Sequence, residues 1–205
     1  MGAGGRGLKL IYKIKEQYMK LIKTTLEWCA VILISCTIAL LVHILLVQPT
    51  RVMGISMEPT YYQGNYLLIN RLGRIVDAKL EHGDIVVIDS RINRQRTFID
   101  AINDSMNDFI TMFKVKNARQ NMWVKRVIGL PNDKIRISNG NVYVNDVVLV
   151  EPYIKNATQS DSTDEFIVPA GTVYIMGDNR ENSYDSRKIG PVPIDHVLGV
   201  VLIKI

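Results

Sequence analysis

The longest apolar pattern in the chain runs from Trp28 to Val47, where no charged residue occurs and only Ser35, Thr37 and His43 interrupt it. At 1.5 Å per residue such a run spans roughly 30 Å, the thickness of a bilayer core. It ends Leu45-Leu46-Val47-Gln48-Pro49, without the small residues of a cleavage site, and so predicts an uncleaved anchor over 26–48. Before it, Ile11, Ile14, Tyr18, Leu21 and Ile22 recur at helical spacing with lysines between them. That predicts a basic amphipathic helix on an anionic membrane surface, which is compatible with a helix continuous into the anchor. Residues 1–7 are Gly-rich and read as disordered. His43 lies about one helical turn from the outer end of the run, within reach of the interface.

After Pro49 the period changes from helix to strand. Strands are predicted over Asn65–Asn70, Asp84–Asp89, Asn121–Ile128, Lys134–Ser138, Val142–Val144, Val147–Val150, Thr172–Met176 and Val197–Ile205. Asn139-Gly140 and Asn145-Asp146 punctuate the middle of this set as hairpin turns. The exception is Thr97 to Phe113, where Phe98, Ile102, Met106, Phe109 and Phe113 mark one face of a helix. Thr97 stands at its N-cap, with Asp100 and Asp104 near the positive end of the dipole. Arg91, Arg94 and Arg96 precede this helix and Lys114, Lys116 and Arg119 follow it, while Asp100, Asp104 and Asp108 form a polar stripe. The expectation is a helix packed on the β domain with its basic ends touching lipid. The fold class is therefore mainly β: one transmembrane helix, then an antiparallel domain at 49–205 with a hairpin-rich cap at about 134–170 and a helical insertion at 91–120.

Charge changes this picture in one respect. Arg6, Lys9, Lys13, Lys15, Lys20 and Lys23 oppose Glu16 alone, so the whole net charge of +5 resides in residues 1–25, a basic cytoplasmic tail. The remainder is balanced, which argues against nucleic acid as a partner. Lysines before the run place the following domain outside the cell. The 2 cysteines, Cys29 and Cys36, both fall in the apolar run, so no disulfide staples the β domain.

Candidate chemistry narrows by elimination. In Gly54-Ile55-Ser56-Met57-Glu58-Pro59-Thr60 a serine stands in a turn, but Glu58 spoils a Gly-x-Ser-x-Gly elbow and Pro59 a Ser-x-x-Lys pattern. A Ser-His-Asp triad would need His82 or His196, each beside a turn signal and read as a solvated loop histidine. No cluster of metal ligands occurs, and neither metal nor cofactor is expected. A Ser–Lys dyad remains. Lys125 is the candidate base because it stands inside an apolar strand, although a solvent-facing lysine is the ordinary reading of such a position. A lysine acts as a base only when neutral, and burial is what lowers its pKa.

Four stretches occur in order after the anchor: Gly54–Thr60, Gly83-Asp84-Ile85-Val86-Val87, Lys125-Arg126-Val127-Ile128-Gly129-Leu130-Pro131, and Gly177-Asp178-Asn179-Arg180-Glu181-Asn182-Ser183-Tyr184-Asp185-Ser186-Arg187. Together they resemble the bacterial type I signal peptidases over residues 28–90 and 121–205. The resemblance implies a membrane-bound serine endopeptidase of the Gram-positive kind that removes signal peptides from exported preproteins. It implies Ser56 as nucleophile, Lys125 as general base and Ser183 as the hydroxyl that orients the lysine. Arg126, Asp178, Arg180, Asp185 and Arg187 would be the salt-bridged framework of a structural loop. Gly54, near the oxyanion hole, stands where some relatives carry an extra hydroxyl donor. Asn132 replaces a usual Gly in the turn after Pro131, a position that tolerates left-handed backbone. The implied partners are signal peptides and membrane lipids, in the cell membrane with one crossing. A self-cleaving Ser–Lys repressor domain is disfavoured by the anchor, and a non-catalytic assembly factor by the presence of both dyad residues.

Overall fold

A computed structural model of the chain describes residues 4–45, 47–70, 79–97, 100, 121–158 and 165–204. Two units are distinguished, residues 1–43 and 44–205.

The first unit is helical. Helix α1 runs without interruption over Gly4–Leu45, so the amphipathic segment and the apolar run are one element, and residues 4–7 continue it rather than being disordered. Within it, Tyr12–Ala39 is long and apolar enough to cross a membrane. The hydroxyls of Thr25 and Thr37 donate to the carbonyls of Leu21 and Leu33, each at 2.8 Å. In a hydrocarbon environment that back-bonding satisfies the side chain inside its own helix. Cys29 and Cys36 are free thiols on its surface.

The second unit is built from two antiparallel sheets. The larger sheet contains β1 (Val47–Arg51), β2 (Tyr66–Asn70), β3 (Ile85–Asp89), β4 (Met122–Gly129), β9 (Thr172–Met176), β10 (Val192–Pro193) and β11 (Val197–Lys204), in the order β1-β2-β11-β3-β4-β9-β10. The smaller one, the cap, contains β5 (Lys134–Ser138), β6 (Asn141–Val144), β7 (Val147–Val148) and β8 (Phe166–Ile167), in the order β7-β6-β5-β8. Val47 therefore belongs to the sheet, and the apolar run read as reaching it ends its helix at Leu45. Pro49 cannot donate to a ladder, and β1 lies at the sheet edge, where that is tolerated.

The predicted hairpin turns form as their residues dictate. Asn139 and Gly140 have φ of 50° and 79°, Asn145 and Asp146 of 51° and 66°, the paired positive values of a tight β-turn that matches strand twist. Asn132, at φ 72°, holds the left-handed position in the turn that leads into β5. On β5 the alternation is clean, with Ile135 and Ile137 buried and Lys134 facing solvent. Each fully buried isoleucine contributes about 1.5–3 kcal/mol, whereas the solvent-exposed pairs of Lys134 with Asp146 and Glu165 add little. The cap is held on by its apolar face.

Of the predicted helix, Thr97 and Asp100 are described. Asp100 is helical and exchanges bonds with Thr97 as a capping box does: Thr97 N–H donates to Asp100 Oδ2 at 2.9 Å, and Asp100 N–H to Thr97 Oγ1 at 3.4 Å. Phe98, Ile102, Met106, Phe109 and Phe113 lie outside the described residues, with Asp104, Asp108 and the basic residues after them. The basic residues before the helix are ion-paired with acids of the chain. Arg91 and Arg96 both bond the Asp89 carboxylate, at 2.6 and 2.9 Å, and the Arg96 side chain is 1% exposed. Arg94 pairs instead with Asp100 at 2.8 Å.

Candidate active site

Ser56 is presented by the turn between β1 and β2. Val52 N–H donates to Asn65 O and Gly64 N–H to Val52 O, which closes the loop at its base. Met57 is 1% exposed and packs with Val52, Leu67, Ile69, Val87, Val124 and Leu198. Burying that side chain pins the turn to the sheet and leaves its neighbour Ser56 at the surface of the core. Gly54 has φ +84°, yet a Cβ there would meet no atom within 4 Å. The demand at Gly54 is on backbone conformation rather than on space.

Lys125 lies in the middle of β4, paired in register with Val86 of β3. It is 3% exposed, and its Nζ donates to Ser56 Oγ at 2.7 Å across 69 residues of sequence. Burial pushes its pKa down to about 8; the Asp185 carboxylate opposes that shift, the Arg187 guanidinium reinforces it and Asp178 opposes it. Desolvation wins because no carboxylate makes a direct ion pair with the amine among the described contacts. The lysine is thus a buried amine hydrogen-bonded to a hydroxyl, and not the solvent-facing strand residue that its position alone would suggest.

The loop from Gly177 to Arg187 grips this pair from the other side. Asn179 N–H donates to Ser56 O at 3.0 Å and Asn179 Nδ2 to Ile55 O at 3.1 Å. Asp178, 1% exposed, takes both the Nε and Nη2 of Arg126 at 2.9 and 2.7 Å and accepts the Thr60 hydroxyl, while Arg126 Nη1 donates to Gly83 O at 2.9 Å. Asp185 accepts from Gly177 N–H at 2.9 Å and pairs with Arg187 at 2.8 Å. Burial alone would raise the Asp185 pKa, but the Arg187 guanidinium more than offsets that and holds it low. Arg187 also donates to Arg180 O at 2.7 Å, and Arg180 Nε to Gly177 O at 3.0 Å. The side chain of Asp185 caps the short helix α2 (Ser186–Ile189).

Ser56, Lys125, Arg126, Asp178, Arg180, Asp185 and Arg187 are therefore all assembled at one place, with Gly54 at its edge. Ser183 lies there too, 5% exposed and against Gly177, but its Oγ makes no hydrogen bond to Lys125 among the described contacts. His82 is exposed and bonds Asp133 at 2.6 Å. His196 is 2% exposed and not a solvated loop residue: its ring bonds Asp195 at 2.9 Å and the Arg91 carbonyl at 3.2 Å. Sequence reasoning missed Thr60, Glu151, Tyr153 and Thr158, which touch the framework residues, and Asn179, which bonds the serine's turn. Among the described residues no group of acids, histidines and cysteines could hold a metal ion.

Comparison with known proteins identifies the family. The family described as "Signal peptidase, peptidase S26" matches residues 25–205. Signal peptidase I T of Bacillus subtilis is 31% identical over 186 residues, covering 86% of this chain and 82% of that one. Signal peptidase I of Bacillus licheniformis is 32% identical over 170 residues, with 78% and 77% covered. Signal peptidase IB of Staphylococcus aureus is 28% identical over 196 residues, with 87% and 88% covered. The chain whose buried lysine meets a turn serine across the sheet belongs to the bacterial type I signal peptidase family, peptidase S26.

Proposed function

We propose that Ser56 is the nucleophile and Lys125 the general base with which this serine endopeptidase removes signal peptides from preproteins. The observation that supports the assignment best is the 2.7 Å bond between Lys125 Nζ and Ser56 Oγ at an amine that is 3% exposed. As Ser56 Oγ attacks the scissile carbonyl carbon, neutral Lys125 takes its proton. The tetrahedral intermediate collapses when the resulting ammonium returns that proton to the leaving amine, which departs as the new N-terminus. Water then attacks the acyl-serine, losing a proton to Lys125; the acyl–oxygen bond breaks, the ammonium returns that proton to Ser56 Oγ, and the signal peptide leaves with a free carboxylate. The Ser56 N–H stabilises the oxyanion, and with glycine at position 54 no side-chain hydroxyl joins it from there. The test is incubation of the detergent-solubilised full chain with a preprotein, followed by sequencing of the new N-terminus. Cleavage at an Ala-x-Ala-like junction supports the assignment, and an intact preprotein overturns it.

The base reading fixes a pH profile. Neutral Lys125 is the active form, and burial has lowered its pKa to about 8. At pH 7 roughly a tenth of the amine is neutral, against about 0.03% for an unperturbed lysine. We expect kcat/KM to rise nearly tenfold per pH unit on the acid side and to level off above about pH 8. A profile that keeps rising to pH 10, or stays flat from 6 to 9, contradicts the base role.

We also place the β domain on the extracytoplasmic face, the N-terminus in the cytoplasm, one crossing between them, and lipid rather than nucleic acid beside the domain. Six basic residues against Glu16 and Glu27 precede Trp28, and cytoplasmic flanks are the ones rich in Lys and Arg. Protease added to intact spheroplasts is expected to digest the chain after Gln48. Full protection there reverses the orientation.

A further inference from the structure

Residues 151–158 follow β7 and are tied to the cap on both sides: Leu149 N–H donates to Val142 O at 2.8 Å and Thr158 N–H to Gly140 O at 3.0 Å. Three side chains of this strap meet the two buried arginines of the active-site framework. The Arg126 guanidinium stands 3.8 Å from the centroid of the Tyr153 ring. The Tyr153 hydroxyl donates to Glu151 Oε1 at 2.9 Å. Glu151, its side chain 5% exposed, accepts from both Nη atoms of Arg180, and Thr158 Oγ1 accepts from Arg180 Nη1 at 2.6 Å. The circuit then returns through Arg180 Nε to Gly177 O, and through Asp178 to Arg126.

What this circuit holds is the nucleophile's turn. Gly177 packs so closely on Ser56 O that a Cβ would lie 2.5 Å from it, Asn179 bonds Ser56 O, and Asp178 takes the Thr60 hydroxyl. The Arg180 side chain is 0% exposed, and a buried guanidinium is tolerated only when fully paired. Its one carboxylate partner among the described contacts is Glu151, which lies in none of the four stretches that carry the family resemblance.

We propose that Glu151 and Tyr153 are positioning residues for the cleavage reaction. They fix Arg180 and Arg126, these fix Gly177 and Asp178, and those in turn set where Ser56 stands relative to Lys125. The inference deepens the dyad assignment and rests on it. Misplacing a reacting group by about 1 Å costs on the order of a hundredfold in rate, so a loosened strap shows in kcat before it shows in substrate binding.

The experiment measures kcat, KM and melting temperature for the full chain in detergent with one preprotein. Glu151→Gln is expected to lower kcat about tenfold to a hundredfold with KM within about twofold, and Glu151→Asp to recover part of the loss. Tyr153→Leu removes both the ring over Arg126 and the hydroxyl, and is expected to lower kcat more than Tyr153→Phe. If Glu151→Gln unfolds, the paired variant Glu151→Leu with Arg180→Met removes both buried charges together and is expected to restore the melting temperature. Its kcat stays at least about tenfold down, because nothing then holds the Gly177 carbonyl. A kcat that returns together with the melting temperature, or a change confined to KM, overturns the positioning role. Ser56→Ala in the same assay separates the two readings. If it cleaves as well as wild type the dyad itself fails; if it is inactive while Glu151→Gln is fully active, only the strap fails.

Discussion

Ser56→Ala and Lys125→Ala, each made alone in the full chain, are expected to lower kcat for preprotein cleavage by about 10⁴-fold or more. The two side chains act as one unit through the 2.7 Å bond between them, so the double variant should be no worse than either single one. A variant that keeps even a few per cent of activity excludes the dyad. Stability provides an independent sign. Lys125 has a folded pKa of about 8 against 10.5 when unperturbed, so at pH 7 the folded protein carries a buried ammonium that the unfolded chain keeps in water. Lys125→Met is therefore expected to melt higher than wild type at pH 7. Between pH 8 and 10.5 the unfolded chain binds more protons than the folded one, so wild-type stability rises relative to the variant and the gap narrows. A gap that widens with pH would mean that the amine is not desolvated.

Gly177→Ala should also be damaging, although residue 177 takes no part in the chemistry. A Cβ there would stand 2.3 Å from Ser183 Oγ, 2.6 Å from Ser183 Cβ and 2.5 Å from Ser56 O. The Ser183 hydroxyl can rotate away, but its Cβ and the Ser56 carbonyl move only with their backbones. The nucleophile's turn must then shift, and a shift approaching 1 Å costs about a hundredfold in kcat. Overpacking of this kind also costs about 1–3 kcal/mol, visible as a lower melting temperature. Near-wild-type kcat in Gly177→Ala would show that the loop does not set the position of Ser56. Gly171 serves as the control glycine: a Cβ at that position meets no atom within 4 Å, so its substitution strains only its own backbone, at φ +74°.

Much of this arrangement is legible in the sequence because its signals are local. Asn139-Gly140 and Asn145-Asp146 announce their hairpins, since few other residues adopt paired positive φ, and the Ile135/Ile137 alternation gives the buried face of β5 directly. The four stretches that carry the family resemblance also turn out to touch one another. Arg126 reaches both Gly83 O and Asp178, and Asn179 reaches Ile55 and Ser56. What stayed hidden depends on partners far away in the chain. His196 looks like a loop histidine until the Arg91 carbonyl, 105 residues earlier, is folded against it. Arg91 and Arg96 look like a basic patch until Asp89 is found beneath them. Val47–Arg51 hides its strand behind Pro49 and polar neighbours, because its place at the sheet edge is a tertiary fact. The orienting bond from Ser183 to Lys125, which the resemblance implied, is absent from the described contacts, where the amine is turned to Ser56.

The strand order has a consequence for how the protein comes into being. β11, the last strand among the described residues, lies between β2 and β3. The half of the sheet that presents Ser56 and the half that carries Lys125 are joined through it. During synthesis from the N-terminus neither half can meet the other in register until that final segment has emerged and threaded into the gap. Contacts of such long sequence separation form late and slowly, because loop closure must precede any reward. Joining of the serine's half to the lysine's half through the sheet thus waits until Val197–Lys204 has been made.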